Sequence, residues 1–194
     1  MALIQNTGPT STIENIWAGI LAAASVGGSL LLACMFPFAA IATLLAATLP
    51  LRKAMLWMGG AWLGNQLVGY LILGYPQTIN SFGHGGGMGV TALVTLWIAN
   101  KVFELRGNRS ISSILMAYAG AFVGYQALLA LFAVFLGGIQ NFMPSIIWMV
   151  FQNDVLWFAG LGLLFLVLNN VVFKSLGSQP SLQIRRDLKF DFIG

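Results

Sequence analysis

Ser112–Leu136 reads SSILMAYAGAFVGYQALLALFAVFL, without a charged residue or a proline. As a helix rising about 1.5 Å per residue, this run outlasts the roughly 30 Å hydrocarbon core of a bilayer. It lacks the two-residue alternation of a strand, and helical hydrogen bonding is the economical way to carry so apolar a backbone through lipid. The same signature recurs along the chain. No Asp, Glu, Lys or Arg lies between Ile16 and Leu51, between Ala54 and Asn100, between Ser110 and Asn153, or between Val155 and Phe173. Over all 194 residues 58% are hydrophobic and 7% charged, against about 25% charged in soluble domains. Soluble globular and disordered classes are thereby excluded, and a single cysteine, Cys34, excludes a disulfide scaffold. The class is all-α, a polytopic transmembrane helical bundle.

Punctuation within the uncharged runs sets the number of spans. Tyr75-Pro76 and the stretch Gly83-His84-Gly85-Gly86-Gly87 divide the second run into Ala54–Gly74 and Met88–Asn100, the latter starting a turn or two earlier. Gly137-Gly138 and Met143-Pro144 form the next turn. The last helix ends near Phe173, and counting back about 20 residues puts its outer end near Asp154. Ser145–Asn153 is then either an extension of that helix or a short interfacial one. With Phe36-Pro37 as a turn in the first run, six spans result, although five with an outside N-terminus satisfy the charges equally. Arg52, Lys53, Lys101, Arg106, Arg109, Lys174, Arg185, Arg186 and Lys189 all fall on one side of the six-span arrangement. The positive-inside rule makes that side cytoplasmic, with both termini inside a plasma membrane, or the inner membrane of a bacterium. Residues 1–15 form a polar N-terminal segment without the basic region of a secretory signal. Residues 16–174 form the bundle, and 175–194 a basic tail placed along the anionic leaflet. The net charge of +4 reads as topology rather than nucleic-acid binding.

Two segments echo one another. Lys53 precedes Trp62 by nine residues and Arg109 precedes Tyr118 by nine. Each aromatic opens a run, Ala61-Trp62-Leu63-Gly64 to Gly69-Tyr70 and Ala117-Tyr118-Ala119-Gly120 to Gly124-Tyr125. Their partner helices end in Asn100-Lys101-Val102-Phe103 and Asn170-Val171-Val172-Phe173. A repeated two-helix hairpin and chance resemblance among apolar residues are both consistent with this. Small-residue rows such as Ala18, Ala22 and Ser25, Gly60 and Gly64, and Gly120 and Gly124 serve either close packing inside the bundle or a docking face for partner membrane subunits. Trp62 and Trp157 lie nearer the helix interiors than the other tryptophans, most of which suit an interfacial belt.

One histidine and one cysteine cannot build a multi-His metal cage or a thiol pair, and nucleophile-elbow, phosphate-loop and zincin motifs are missing. The chain is therefore read as a non-enzyme, with no catalytic residue, metal or cofactor. Two polar features remain. Gly83 to Gly89 carries glycine at a density costly in a helix, so His84, Gly85, Gly86 and Gly87 read either as a ligand-approaching loop or as a plain external turn. Gln152-Asn153-Asp154, followed by Trp157, is the second. If the last helix extends upstream to Ser145, Asp154 can face the interior, where an ionisable residue points to function; otherwise it is a solvated carboxylate at a helix start. Gln77, Asn80, Gln140 and Asn141 complete a candidate outward-facing polar pocket, which Asn65, Gln66 and Gln126 either extend or leave, bonding helices together.

Residues 36–93 partially resemble the HPP family of membrane proteins, some of which are implicated in nitrite transport. The resemblance lies in Pro37-Phe38-Ala39-Ala40-Ile41-Ala42, then Arg52, Gly59-Gly60, Gly69, and His84-Gly85-Gly86-Gly87 to Thr91-Ala92, with Gly85-Gly86 standing where the family carries Pro-Pro. The small size and six-span layout are also similar to the S components of energy-coupling-factor transporters. Both resemblances imply an integral membrane transport protein, a permease or membrane-embedded substrate-binding subunit, for a small solute entering from the outer face. The alternative is a non-transporting structural or assembly subunit of a larger membrane complex.

Overall fold

The computed structural model describes residues 9–31 and 37–173, which form six α-helices and no strand among the described residues. They are α1 (Pro9–Leu31), α2 (Phe38–Thr48), α3 (Leu51–Leu71), α4 (Ile79–Arg106), α5 (Ile111–Leu136) and α6 (Pro144–Val167). A short 3₁₀ turn, Ile139–Phe142, precedes α6, which runs on into a π-helical turn, Leu168–Phe173. The basic tail, Cys34 and the first eight residues lie outside the described residues.

Three helices, α4, α5 and α6 with its extension to Asn170, are long and apolar enough to cross a membrane. The outward faces of these three and of α3 are apolar too: Leu56 and Leu71 on α3, Leu105 on α4, Val123 and Phe135 on α5 and Leu156 on α6 are largely exposed. Hydrocarbon surroundings favour such a surface and water does not.

The organising element is α2. All eleven of its residues are buried and it packs against all five other helices, yet at about 16 Å it is half the length of a span. Its end follows from sequence, because Pro50 forces the preceding Leu49 into an extended conformation (φ −120°, ψ 157°) and then opens α3 as its N-cap. Around it, α3 buries one stripe, Ala54, Met58, Ala61, Asn65 and Gly69, at helical spacing. Asn65 donates to Ser25 Oγ (2.7 Å), tying α3 to α1, and Lys53 pairs with Glu14 (2.8 Å) at the basic end.

Gly83 to Gly89 is helical and not a loop. Thr78 caps α4 through its side chain, and the glycines form two interleaved rows within the helix. Gly85 and Gly89 face Gln66 and Trp62 of α3, while Gly83 and Gly87 face Leu136 and Phe132 of α5. The propensity cost of each glycine, about 1 kcal/mol, is offset by the close approach of three helices. Gly120 and Gly124 likewise receive Ile98 of α4, so that small-residue row is filled from within the chain.

Candidate functional site

The start of α2 has a problem that its own sequence does not solve. Pro37 stands at its N-cap and provides no side-chain acceptor for the first N–H groups, in a place closed to water. The acceptor comes from α6. Asp154 is 3% exposed, and its Oδ1 accepts from the Ala40 N–H at 3.4 Å, with the Ala39 N–H also directed at the carboxylate. Because α6 begins at Pro144, Asp154 lies within the helix, about 15 Å along it, and faces the bundle interior. That is the first of the two arrangements the sequence allows.

The second carboxylate oxygen is sealed from solvent and has no hydrogen-bond partner; the same holds for the hydroxyl of Tyr118 on α5. This hydroxyl approaches the carboxylate closely enough to interact with it while falling short of hydrogen-bond geometry. Tyr118 stacks on Phe158 of α6 (ring centroids 4.4 Å apart), and Tyr125 packs edge-on against Phe38 at the opening of α2. No lysine, arginine or histidine ion-pairs with Asp154 among the described residues. One turn further along α6, Trp157 lies against α1, 3.2 Å from where a Cβ on Gly28 would stand. Asn153, Leu156, Trp157, Gly160 and Leu161 border a recess of about 390 Å³ on this flank of α6.

The other end of α2 is matched by opposite charge. Arg109, in the loop between α4 and α5, donates to the Ala46 carbonyl (3.4 Å) with its guanidinium over the Phe103 ring. A carboxylate thus stands at the positive end of the α2 dipole and a guanidinium at its negative end.

His84 and Asn80 do different work at the end of the bundle remote from the basic residues. Asn80 Nδ2 donates to Leu136 O (2.8 Å), while His84 Nε2 lies 3.2 Å from Gly137 O and Nδ1 3.0 Å from Asn80 O. The two side chains satisfy the last carbonyls of α5 where Gly137 and Gly138, at φ 91° and 97°, stop the helix. A neutral ring can donate to one of these oxygens and an imidazolium to both. His84→Ala is expected to cost about 1 kcal/mol, hence roughly 2–4 °C in Tm, without loss of the fold, as thermal denaturation of the purified protein would show.

The polar residues singled out in the sequence therefore fall in two places. Asp154, Trp157 and Asn153 gather at mid-bundle; His84 and Asn80 join α4 to α5 at the end of the bundle where α5 stops. Gln77, Gln140, Asn141 and Gln152 are exposed, and Gly86 faces outward while Gly85 and Gly87 are buried against side chains. Trp62 donates to Gly85 O (2.8 Å) and Asn65 bonds α1, so both join helices. No three His, Cys, Asp or Glu side chains cluster as metal ligands among the described residues. Comparison with family models, curated proteins and solved structures finds no match. The site thus rests on its own geometry.

Tyr118, Tyr125, Arg109 and the opening of α2 were not among the candidate site residues. The one sequence feature that drew attention to Tyr118 was its place in the second of the two echoed runs, opposite Trp62 in the first. In the first hairpin Trp62 reaches across from α3 to the Gly85 carbonyl of α4, and in the second Tyr118, at the equivalent position, reaches from α5 to Asp154 of α6.

Proposed function

We propose that the chain is an integral membrane transport protein, a permease or membrane-embedded binding subunit, with six inserted helices and cytoplasmic termini, for a small solute entering from the outer face. One observation carries the reading: an ionisable side chain, Asp154, is buried halfway along an apolar helix against the start of a half-length helix at the centre of the bundle. Ionisable groups in such surroundings are costly, and half-helices ending at mid-depth are how transporters present backbone groups to a solute. The partial resemblance of residues 36–93 to HPP proteins points the same way. The basic ends of α3, α4 and α5, at Arg52 and Lys53, at Arg106 and at Arg109, then fall on the cytoplasmic side.

Native mass spectrometry of the protein in mild detergent tests this reading. A small solute retained by the wild type and reduced at least tenfold in Asp154→Asn, with the protein still monodisperse, is the expected result. A stoichiometric protein partner without any solute would replace it with the complex-subunit reading. Single cysteines at Asn141 and Asn108 in a Cys34→Ala background are expected to react with an impermeant maleimide from opposite sides of the membrane; labelling from one side would overturn the six-span topology.

A further inference from the structure

We infer that Asp154 and Tyr118 form a proton-exchange site at the centre of the bundle, and that the proton is the ion whose binding changes how α2 is held against α6. A lone carboxylate in an apolar interior is unfavourable unless compensated, and its compensation here is incomplete. It consists of the N–H groups at the start of α2, one of them at a long 3.4 Å, with no cationic side chain on any neighbouring helix. The titratable groups facing it are Tyr118 and Tyr125, both on α5; α2 presents Phe38, Ala39 and Ala40, and α1 presents Gly28 through Trp157. Arg109 is at the far end of α2.

The unpartnered atoms suit both protonation states. With Asp154 ionised, Oδ1 holds the Ala40 N–H and Oδ2 is available to accept from the Tyr118 hydroxyl. When a proton from water adds to Oδ2, that oxygen becomes a donor and the Tyr118 hydroxyl turns from donor to acceptor, so the pair remains complementary. The O–H bond formed at Oδ2 replaces one broken in hydronium, which leaves as water; the charge on Asp154 falls from −1 to zero, and the attraction between the carboxylate and the positive end of α2 is lost. A fixed structural cap has no use for an adaptable hydroxyl beside a free oxygen. The use of this proton as a coupling ion rests on the transport reading; its binding does not.

Infrared difference spectroscopy of the protein in liposomes during a pH titration reads the site without any solute. Acidification is expected to bring up a carboxylic-acid C=O band in the wild type that is absent in Asp154→Asn, retained in Asp154→Glu, and shifted in frequency in Tyr118→Phe. Asparagine can still accept from the Ala40 N–H, so this variant keeps α2 seated, which circular dichroism checks. Identical difference spectra for wild type and Asp154→Asn over the range in which both are folded would overturn the proposal, leaving a permanently charged cap. So would a C=O band assigned to Asp154 that is present at every pH, the mark of a permanently neutral acid. Failure of solute retention together with a titrating Asp154 would reject the transport reading alone.

Discussion

Gly89→Leu is expected to lower Tm by roughly 6–12 °C and to reduce the yield of monodisperse protein, while Gly86→Leu, three residues earlier in the same glycine run, leaves yield and Tm at or slightly above wild type. The two positions differ in what faces them. A Cβ at Gly89 would stand 2.6 Å from the indole of Trp62, and one at Gly86 meets nothing within 4 Å. The indole cannot retreat cheaply, because its Nε1 is bonded to the Gly85 carbonyl on the same face of α4. A side chain at Gly89 must therefore part α3 from α4 or break that bond. Overpacking costs about 1–3 kcal/mol and a lost hydrogen bond about 1 more, together roughly 6–12 °C in Tm for a domain of this size. At Gly86 leucine is the better helix former by several tenths of a kcal/mol. Size-exclusion chromatography and thermal denaturation decide the matter; a Gly89→Leu protein as stable as the wild type would mean that the α3–α4 contact is not as described.

That contrast also shows what the sequence made legible. The uncharged runs and their punctuation place helices at α3, α5 and α6, and Gly137-Gly138 and Met143-Pro144 mark real ends, whereas Pro50, which ends α2, went unread. Glycine density from Gly83 to Gly89 suggests broken helix because propensity is a local property, whereas these glycines are tolerated for a tertiary reason: Trp62 and Phe132 fill the space they leave. Their alternation, two rows offset by two residues, is visible only once α3 and α5 are known to flank α4. Asp154 was legible as a residue that must be either interior or solvated, and the start of α6 ten residues earlier decides for the interior. What it caps was not legible, since α2 and α6 are more than a hundred residues apart and no local pattern links Ala40 to Asp154. The same distance hides Arg109, which reads as one more topology-setting charge until its guanidinium is found at the Ala46 carbonyl.

Charge reversal at the two ends of α2 is expected to have the largest effect of any polar substitution. Asp154→Lys sets a buried ammonium against the positive end of the helix and leaves the Ala40 N–H without an acceptor, a loss of about 3–5 kcal/mol that few chains of this size survive. Arg109→Glu turns a carboxylate toward the Ala46 carbonyl at the less enclosed end and is expected to cost about 1–2 kcal/mol, with Arg109→Lys milder still. The double variant separates two physical accounts. If Asp154 and Arg109 stabilised the bundle by attracting each other, exchanging their signs would restore the attraction and part of the stability. They bond to opposite ends of an eleven-residue helix, at Ala40 and Ala46, about 9 Å apart along its axis, and each interacts with a helix terminus whose polarity no side-chain substitution reverses. The two costs are therefore expected to add in Asp154→Lys/Arg109→Glu, to within the few tenths of a kcal/mol typical of distant sites. Denaturation of the three variants in detergent measures the coupling directly, and a double variant more stable than Asp154→Lys alone would show that α2 is not held by its dipole.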